Sequence, residues 1–381
     1  MGTITWNQQV VKKNNKALVL KLIMEREPIS RADIAQVSGL NKTTVSTLVT
    51  ELLEEDLIFE SGPGVSSGGR RPVILHFNKD AGYAIGIDIG VNYILSILTD
   101  LKGNILAEKN QTLTRTTYAT VMSNVQDMIQ SLMDEMPKSR YGIVGIGVGV
   151  PGLVNNEGAI LLAPNLGWSN IQLKEDLEKI YEIPIIIENE ANAGGIGEQQ
   201  FGEGQDQENI LYISAGIGIG VGIIVNKELY KGKNGFSGEM GHMIIDINGK
   251  RCNCGSRGCW EAYASEQALL EMADQIVDSL EELIQLAKNG DEKAKEMFDE
   301  IGNYLGFGIN NIINTFNPEQ VIIGNRLALA KEWLEEPVRN TIVKHTLAFH
   351  QNDLQLHFSK LGKYSTSLGI SAFVVDHFIK G

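Results

Sequence analysis

Cysteine is scarce in this sequence, and positive charge is outnumbered. The 381 residues include three cysteines, and 33 lysines and arginines stand against 47 aspartates and glutamates, for a net charge of −14. A small, odd number of cysteines excludes a disulfide framework and favours a reducing compartment, so we expect a cytoplasmic protein. The acidity of the whole chain argues against a protein that coats nucleic acid.

Long hydrophobic runs are also missing, and only the uncharged segment 209–226 approaches the length of a membrane span. Residues 209–226 carry no charge over 18 positions, near the minimum for a membrane span, but four of these positions are glycine. β-branched residues flank the glycines, which predicts two buried strands joined by a tight turn. The first twenty residues are polar and contain lysines, unlike a secretory signal. We therefore expect no membrane partner.

The charge is distributed unevenly along the chain. A length of 381 residues predicts two or three domains. Residues 1–80 contain ten basic and nine acidic residues, a net of +1, so the remaining 23 basic and 38 acidic residues give −15. All of the excess acidity belongs to the later part, and a nucleic-acid module is therefore expected at the N-terminus.

Residues 18–55 have the pattern of a helix-turn-helix. An apolar stripe predicts a first helix that ends before Pro28, and its members are Leu18, Leu20, Leu22 and Ile23. The next helix begins after Ser30, a good N-cap residue, and ends at Gly39. Asn41 can cap a third helix, from Lys42 to about Glu55. Two helices joined by a short glycine turn are typical of this DNA-binding motif.

The third helix begins with small and basic side chains, at the turns where base edges would be met. Two short strands follow, and the glycine- and serine-rich segment between them ends with two arginines, which predicts a wing for a narrow minor groove. We predict a winged helix-turn-helix whose DNA contacts are Arg31, Lys42, Thr43, Thr44, Ser46, Arg70 and Arg71. The alternative is that the two amphipathic helices form a packing or dimerisation module.

The later part of the chain predicts α/β architecture. A strand over 83–90 ends in an Asp-x-Gly sequence and continues into two more strands, then a helix over about 119–136 and a glycine-spaced strand over 143–150. Further buried strands are expected over 183–188 and 321–324. A long helical stretch, from Glu261 to about Asn317, separates the glycine-rich turn at 216–222 from the last of these strands.

All three cysteines fall within eight residues, and a histidine lies ten positions upstream. The predicted metal ligands are His242, Cys252, Cys254 and Cys259. A Cys₃His set matches a closed tetrahedral zinc site of the structural kind. The alternative is that these cysteines are small buried hydrophobic residues. Three cysteines in so short and basic a loop are not typical of a core, so we expect structural Zn²⁺.

These features together resemble the ROK family of repressors, open reading frames and kinases. The most specific segments are Gly238–His242 and Cys252–Glu261. The resemblance implies a two-lobed, actin-like (ribonuclease-H-like) body of the sugar-kinase type behind the winged helix-turn-helix. It also implies three domains: residues 1–80 bind DNA, 81–192 form the N-terminal lobe completed by a helix over 365–381, and 193–364 form the C-terminal lobe with the zinc loop and dimerisation helices.

The resemblance further implies a monosaccharide site. The family's sugar contacts fall on Gly152, Asn165, Asn189, Glu190, Glu239, His242 and Glu261. Carboxylates and amides of this kind are suited to directional hydrogen bonds with hydroxyl groups. From the residues alone, turn capping is the better explanation for Asn165 and Asn189.

The sequence departs from the family's kinases at the catalytic position. Those kinases carry a general-base aspartate directly after the pocket asparagine, where this chain has Glu190. Proton transfer is sensitive to a displacement of about 1 Å, so the extra methylene is unfavourable for catalysis. The phosphate loops also differ, with Val91, Asn92 and Ile217 at kinase positions and Asn325 in place of a glycine. We expect no enzyme activity and no bound nucleotide.

The leading hypothesis is a sugar-responsive transcriptional repressor. The resemblance is strongest to xylose repressors of Gram-positive bacteria, which implies operator DNA and xylose as partners and a homodimer or higher homo-oligomer on a palindromic site. The alternatives are an ATP-dependent sugar kinase with an appended DNA-binding domain, and a regulatory scaffold that does not bind DNA.

Overall fold

The computed structural model describes residues 7–63, 73–273 and 276–381, and it begins with a compact module of three helices and a small sheet. The sheet has the order β1–β3–β2. The elements are α1 (Gln8–Arg26), β1 (Ile29–Ser30), α2 (Arg31–Ser38), α3 (Lys42–Glu54), β2 (Ile58–Pro63) and β3 (Val73–Phe77). We call this the N-terminal module. The predicted winged helix-turn-helix is confirmed, although Arg70 and Arg71 lie outside the described residues.

Local capping sets the helix boundaries in this module. The Ser30 hydroxyl accepts from the Asp33 N–H at 3.3 Å, and the Asp33 carboxylate accepts from the Ser30 N–H at 3.2 Å. The Asn41 side chain accepts from the Thr44 N–H at 2.8 Å and starts α3. The expected stripe of α1 is partly wrong, because Leu18 is 41% exposed and Val19 is buried instead.

The first lobe is built on a mixed five-stranded sheet of order β11–β7–β4–β5–β6, with a second, three-stranded sheet beside it. Strand β4 pairs in parallel with β7 and antiparallel with β5. Its elements are β4 (Tyr83–Ile89), β5 (Tyr93–Asp100), β6 (Ile105–Thr112), α4 (Tyr118–Glu135), β7 (Ile143–Val150), β8 (Leu153–Val154), β9 (Ile160–Ala163), β10 (Trp168–Ile171), α5 (Leu173–Glu178) and β11 (Ile185–Asn189).

The second lobe contains another five-stranded sheet, of order β14–β13–β12–β15–β16. The uncharged segment 209–226 forms its hairpin β12–β13, as predicted, and none of the described helices is long and apolar enough to cross a membrane. Its elements up to the last helix are α6 (Glu190–Phe201), β12 (Ile210–Ala215), β13 (Ile219–Val225), β14 (Glu228–Leu229), α7 (Glu261–Ala264), α8 (Glu266–Met272), α9 (Leu280–Lys288), α10 (Glu292–Phe316), β15 (Gln320–Gly324), α11 (Lys331–His345), α12 (Ala348–Gln351) and β16 (Gln355–Phe358).

The long helical stretch expected from Glu261 to about Asn317 consists of four helices, α7 to α10. Three of them begin at a side-chain cap of their own. Ser265 accepts from the Ala268 N–H, Ser279 accepts from the Glu282 N–H, and Asp291 accepts from the Ala294 N–H. Caps of this kind satisfy the first free N–H groups of each helix and so fix where it starts.

The last helix, α13 (Ser365–Lys380), returns to the first lobe and packs on β4 and β7. It also packs closely on α6, where Gly369 leaves no room for a side chain because a Cβ there would overlap the Ala193 carbonyl. Two lobes built on five-stranded sheets, with helices crossing between them, confirm the predicted actin-like body.

Candidate functional site

A cavity of about 270 Å³ lies between the two lobes. The first lobe supplies the loop after β7 and the end of β11, and the second lobe supplies the first turn of α6, the β12–β13 hairpin and the loops around α7. All seven predicted sugar contacts line this cavity, namely Gly152, Asn165, Asn189, Glu190, Glu239, His242 and Glu261. The fold therefore brings together residues that are up to 109 positions apart in the chain.

Two carboxylates flank His242 at one end of the cavity. The Nδ1 atom of His242 lies 3.3 Å from Oε1 of Glu261, and its Nε2 atom lies 3.9 Å from Oε2 of Glu239. Burial raises the pKa of Glu239 above its ordinary value. Because Nε2 is on the Glu239 side while Nδ1 is on the Glu261 side, the two ring nitrogens of this histidine serve different neighbours.

The two asparagines have different surroundings. Asn189 caps α6, because its Oδ1 accepts from the N–H groups of Ala191 and Asn192 at 2.8 and 3.1 Å, and its Nδ2 donates to the Gly152 carbonyl at 2.9 Å. The capping explanation is therefore correct for Asn189, although its side chain also lines the cavity. Asn165 lies in a short 3-10 turn and accepts a long hydrogen bond of 3.4 Å from Asn253.

A second pair of carboxyl groups is enclosed deeper between the lobes. The Ser214 hydroxyl donates to Oε1 of Glu190 at 3.1 Å, and the Tyr93 hydroxyl donates to Oδ2 of Asp88 at 2.7 Å. Burial raises the pKa of Glu190 to about 7, and burial together with the Glu190 charge raises the pKa of Asp88 to about 8. Among these groups only Glu190 was expected at the site from the sequence.

The neighbours of this pair were not predicted at the site, because they come from separate elements of the fold. Asn325 donates to the Ser214 hydroxyl at 2.9 Å and extends the network within the second lobe. The Tyr93 ring lies against Gly90, so a side chain of the next strand covers the loop after β4, where the family's kinases hold phosphate. In the sequence, this contact is indicated only by a tyrosine at the start of an otherwise apolar strand, β5.

The Cys₃His set forms a compact cluster beside the cavity. The candidate ligand atoms of His242, Cys252, Cys254 and Cys259 all lie within 4.8 Å of one another. The Cys252 sulfur is 3.7 Å from Nδ1 of His242, and the Cys254 and Cys259 sulfurs are 3.7 Å apart. Ligands about 2.3 Å from a tetrahedrally bound ion are separated by about 3.8 Å, so these spacings fit a four-coordinate metal.

The predicted DNA-contacting residues of the N-terminal module are spread over one end of α3 and the start of α2. Lys42 and Thr43 are exposed, whereas Thr44 and Ser46 are only partly so. Arg31 is half-exposed, and its Nη2 atom lies 3.1 Å from a Glu60 carboxylate oxygen on β2. The module therefore presents the N-terminal turn of α3 to solvent, with one lysine free to approach a phosphate or base.

Comparison with known proteins supports the fold and identifies the family. A profile of the ROK family matches residues 84–377, and a profile of winged helix-turn-helix DNA-binding domains matches residues 15–58. The chain is 45% identical to the xylose repressor of Bacillus subtilis, over 98% of each chain.

Solved structures agree with this assignment. The structure of a ROK family transcriptional regulator, described as a homolog of the E. coli MLC protein, has a TM-score of 0.83 and 29% identity, over 97% of each chain. A ROK family glucokinase from Streptomyces griseus, solved with glucose and AMPPNP, has a TM-score of 0.70 and 27% identity, over 77% of this chain and 99% of that chain. The kinase covers about the same share of this chain as the ROK profile, whereas the regulator covers nearly the whole chain. The chain therefore belongs to the ROK family, and within that family to its DNA-binding repressors.

Proposed function

We propose that this repressor binds operator DNA through its N-terminal module and leaves the operator when a monosaccharide binds in the cavity between the lobes. The observation that carries this proposal is the cavity, because it joins carboxylates, amides and an imidazole in one chain with a DNA-binding module. A ligand changes DNA affinity only by as much as it prefers one lobe arrangement over the other.

The chemistry of the cavity suits a small polyol. The carboxylates of Glu239 and Glu261 accept hydrogen bonds from hydroxyl groups, and the amide of Asn165 can both donate and accept them. Asn189 can donate its second amide N–H, because its oxygen already accepts from two backbone N–H groups. The aliphatic side chains of Leu153 and Ile217 lie in the same lining and offer apolar contact to the C–H groups of a sugar ring. Xylose is the proposed inducer, since relatives at 45% identity carry the name xylose repressor.

The metal proposed for the Cys₃His cluster is Zn²⁺. Three thiolates and an imidazole are the ligand set that this ion prefers, and four protein ligands leave no open position for catalysis. Burial and the neighbouring Glu261 carboxylate raise the pKa of the Cys252 thiol, so a bound cation would supply the charge that stabilises the thiolate. Zinc would hold the 252–261 loop and fix His242, whose other ring nitrogen is on the Glu239 side of the cavity.

Zinc binding is tested by elemental analysis of the purified chain. We expect one zinc per chain, and we expect Cys254→Ser to lower both the zinc content and the sugar affinity. The exposed Ser256→Ala variant changes the same loop without removing a ligand, so it serves as the control. A full zinc content in Cys254→Ser would contradict this ligand set.

A kinase activity is not supported by the same cavity. Glu190 accepts a hydrogen bond from Ser214, and Asp88 accepts one from Tyr93, so both carboxyl groups are engaged within the protein. The repressor relatives also do not favour the kinase alternative. An ADP-release assay with a panel of sugars tests this conclusion, and turnover that is lost in Glu190→Gln would reverse it.

Two copies of the chain are proposed to act together on DNA. Helix-turn-helix repressors read two half-sites about one helical turn apart, so a palindromic operator requires a homodimer. Dimerisation is assigned to helices of the second lobe, as the family resemblance implies. Sedimentation of the full chain with and without an operator fragment measures the stoichiometry.

The decisive experiment is operator binding followed by fluorescence anisotropy, with and without aldoses. We expect xylose to weaken binding to the operator, and we expect Glu261→Gln to bind operator normally but to respond less to xylose. A matched control is the exposed Glu182→Gln, which lies outside the cavity lining. Operator binding that no aldose changes would refute the sugar-responsive function.

A further inference from the structure

The N-terminal module is packed onto the first lobe rather than held only by a linker. One hydrophobic cluster includes Leu22 and Leu75 of the module together with Leu101 and Val144 of the first lobe and Val374 of α13. A Lys102–Glu27 ion pair also crosses the same boundary. A shared core of this kind resists independent motion of the two parts, since separating them would expose apolar surface to water.

The recognition helix α3 is held at its C-terminal end by the first lobe. Arg140 Nη1 donates to the Glu54 carbonyl at 2.6 Å, and the Tyr141 hydroxyl donates to the Glu55 carbonyl at 2.9 Å. The last carbonyls of a helix have no partner within the helix, so donors from elsewhere satisfy them. The positive charge of Arg140 is also favourable at this end of the helix dipole.

Two regular elements, β7 and α13, connect these two residues to the cavity. Strand β7 begins two residues after Tyr141 and ends two residues before Gly152, and its eight residues span roughly 26 Å. The Tyr141 ring also packs against Phe378 near the end of α13, with ring centroids 5.0 Å apart. At the other end of α13, the Thr366 hydroxyl donates to the backbone carbonyl of Glu190 at 3.3 Å.

We infer that Arg140 and Tyr141 are positioning residues, which fix the recognition helix to the sheet of the first lobe so that the N-terminal module and this lobe move as one body. Sugar-driven rotation of one lobe against the other is then passed undiminished to the recognition helix. This inference rests on the proposed function, and it adds the route by which the sugar signal reaches DNA.

The experiment measures operator affinity with and without saturating xylose in the full-length chain. The ratio of the two dissociation constants is the coupling between the sites. We expect the double variant Arg140→Gln/Tyr141→Phe to lower this ratio by a factor of about five or more, while xylose affinity without DNA is unchanged. The single variant Arg140→Lys keeps a charged donor at this position, so we expect it to retain most of the wild-type ratio.

The matched control is Lys12→Gln, which also removes one positive charge beside α3. Lys12 Nζ lies 2.6 Å from a Glu51 carboxylate oxygen, but this ion pair joins α1 and α3 within the module and does not touch the lobe. We expect its coupling ratio to equal that of the wild type. Thermal unfolding of every variant shows that a loss of coupling is separate from a loss of folding.

A double variant that retains the wild-type ratio would overturn the inference. If the double variant binds operator too weakly for measurement, the single Tyr141→Phe variant decides by the same ratio, since it keeps the packing against Phe378. A wild-type chain that does not respond to xylose or to any other aldose would instead refute the proposed function, so the two failures are distinguishable.

Discussion

Replacing Glu190 with glutamine removes one of two enclosed carboxyl groups whose charges repel each other. Glu190 accepts from Ser214, and Asp88 accepts from Tyr93. Burial raises the pKa of Glu190 from 4.5 to about 7, and the Glu190 charge contributes to a pKa of about 8 for Asp88. Glutamine is nearly the same size and carries no charge, so the change is mainly electrostatic.

The sign and size of the effect follow from proton binding. In the unfolded chain Glu190 loses its proton near pH 4.5, whereas in the folded chain it keeps the proton up to about pH 7. The folded state therefore binds more protons between these values, and its stability falls as the pH rises through this window. The raised pKa of Glu190 lowers the free energy of unfolding by 1.36 kcal/mol per pH unit across this window, or about 3 kcal/mol in all. This value is an upper limit, because part of the side chain faces the cavity and is solvated.

The assay is urea unfolding of the wild type and Glu190→Gln between pH 4.5 and 8, followed by circular dichroism. We expect the two proteins to be similar near pH 4.5 and the variant to be more stable near pH 8. The exposed Glu182→Gln is the control, and it should follow the wild type. If the variant and the wild type lose stability in parallel as the pH rises, the pKa of Glu190 is not raised by burial and this reasoning is wrong.

Three further outcomes are expected. Gly218→Ala places a Cβ 3.0 Å from Oε2 of Glu261 and 3.1 Å from Nδ2 of Asn165, so calorimetry should show weaker xylose binding with operator affinity unchanged; equal affinity would contradict the cavity assignment. Lys42→Ala should reduce the salt dependence of operator binding by about one unit of slope, and an unchanged slope would remove Lys42 from the DNA contacts. Ser30→Ala should destabilise the N-terminal module by about 1 kcal/mol in thermal unfolding. An unchanged stability would show that the Ser30 cap does not stabilise α2.

Local features of the molecule could be predicted because neighbouring residues create them. The helix starts at Ser30 and Asn41 follow from side chains that bond to an N–H group three residues on. The cysteine cluster follows from three cysteines within eight residues, since a short loop cannot separate them widely. The helical stretch after Glu261 was predicted as a whole, and its division into four helices depends on the caps at Ser265, Ser279 and Asp291.

The surroundings of the predicted site residues could not be obtained in this way. From the sequence, Asn189 could be either a helix cap or a sugar contact. The fold shows that its side chain caps α6 and also lines the cavity. Tyr93 and Asp88 are five positions apart on antiparallel strands joined by a tight turn, and the hydrogen bond between them depends on how that turn is packed. The sugar contacts themselves stay a prediction.

The sequence by itself determined the DNA-binding motif and the Cys₃His cluster, because each depends on residue type and short spacing, while the absence of the kinases' aspartate at Glu190 followed from the family resemblance. Only the tertiary structure decided which distant residues share the cavity and how the N-terminal module is attached. Arg140 and Tyr141 contact carbonyls at the C-terminal end of α3, each 86 positions earlier in the chain. Contacts over such separations depend on the packing of whole lobes, and no local pattern encodes them.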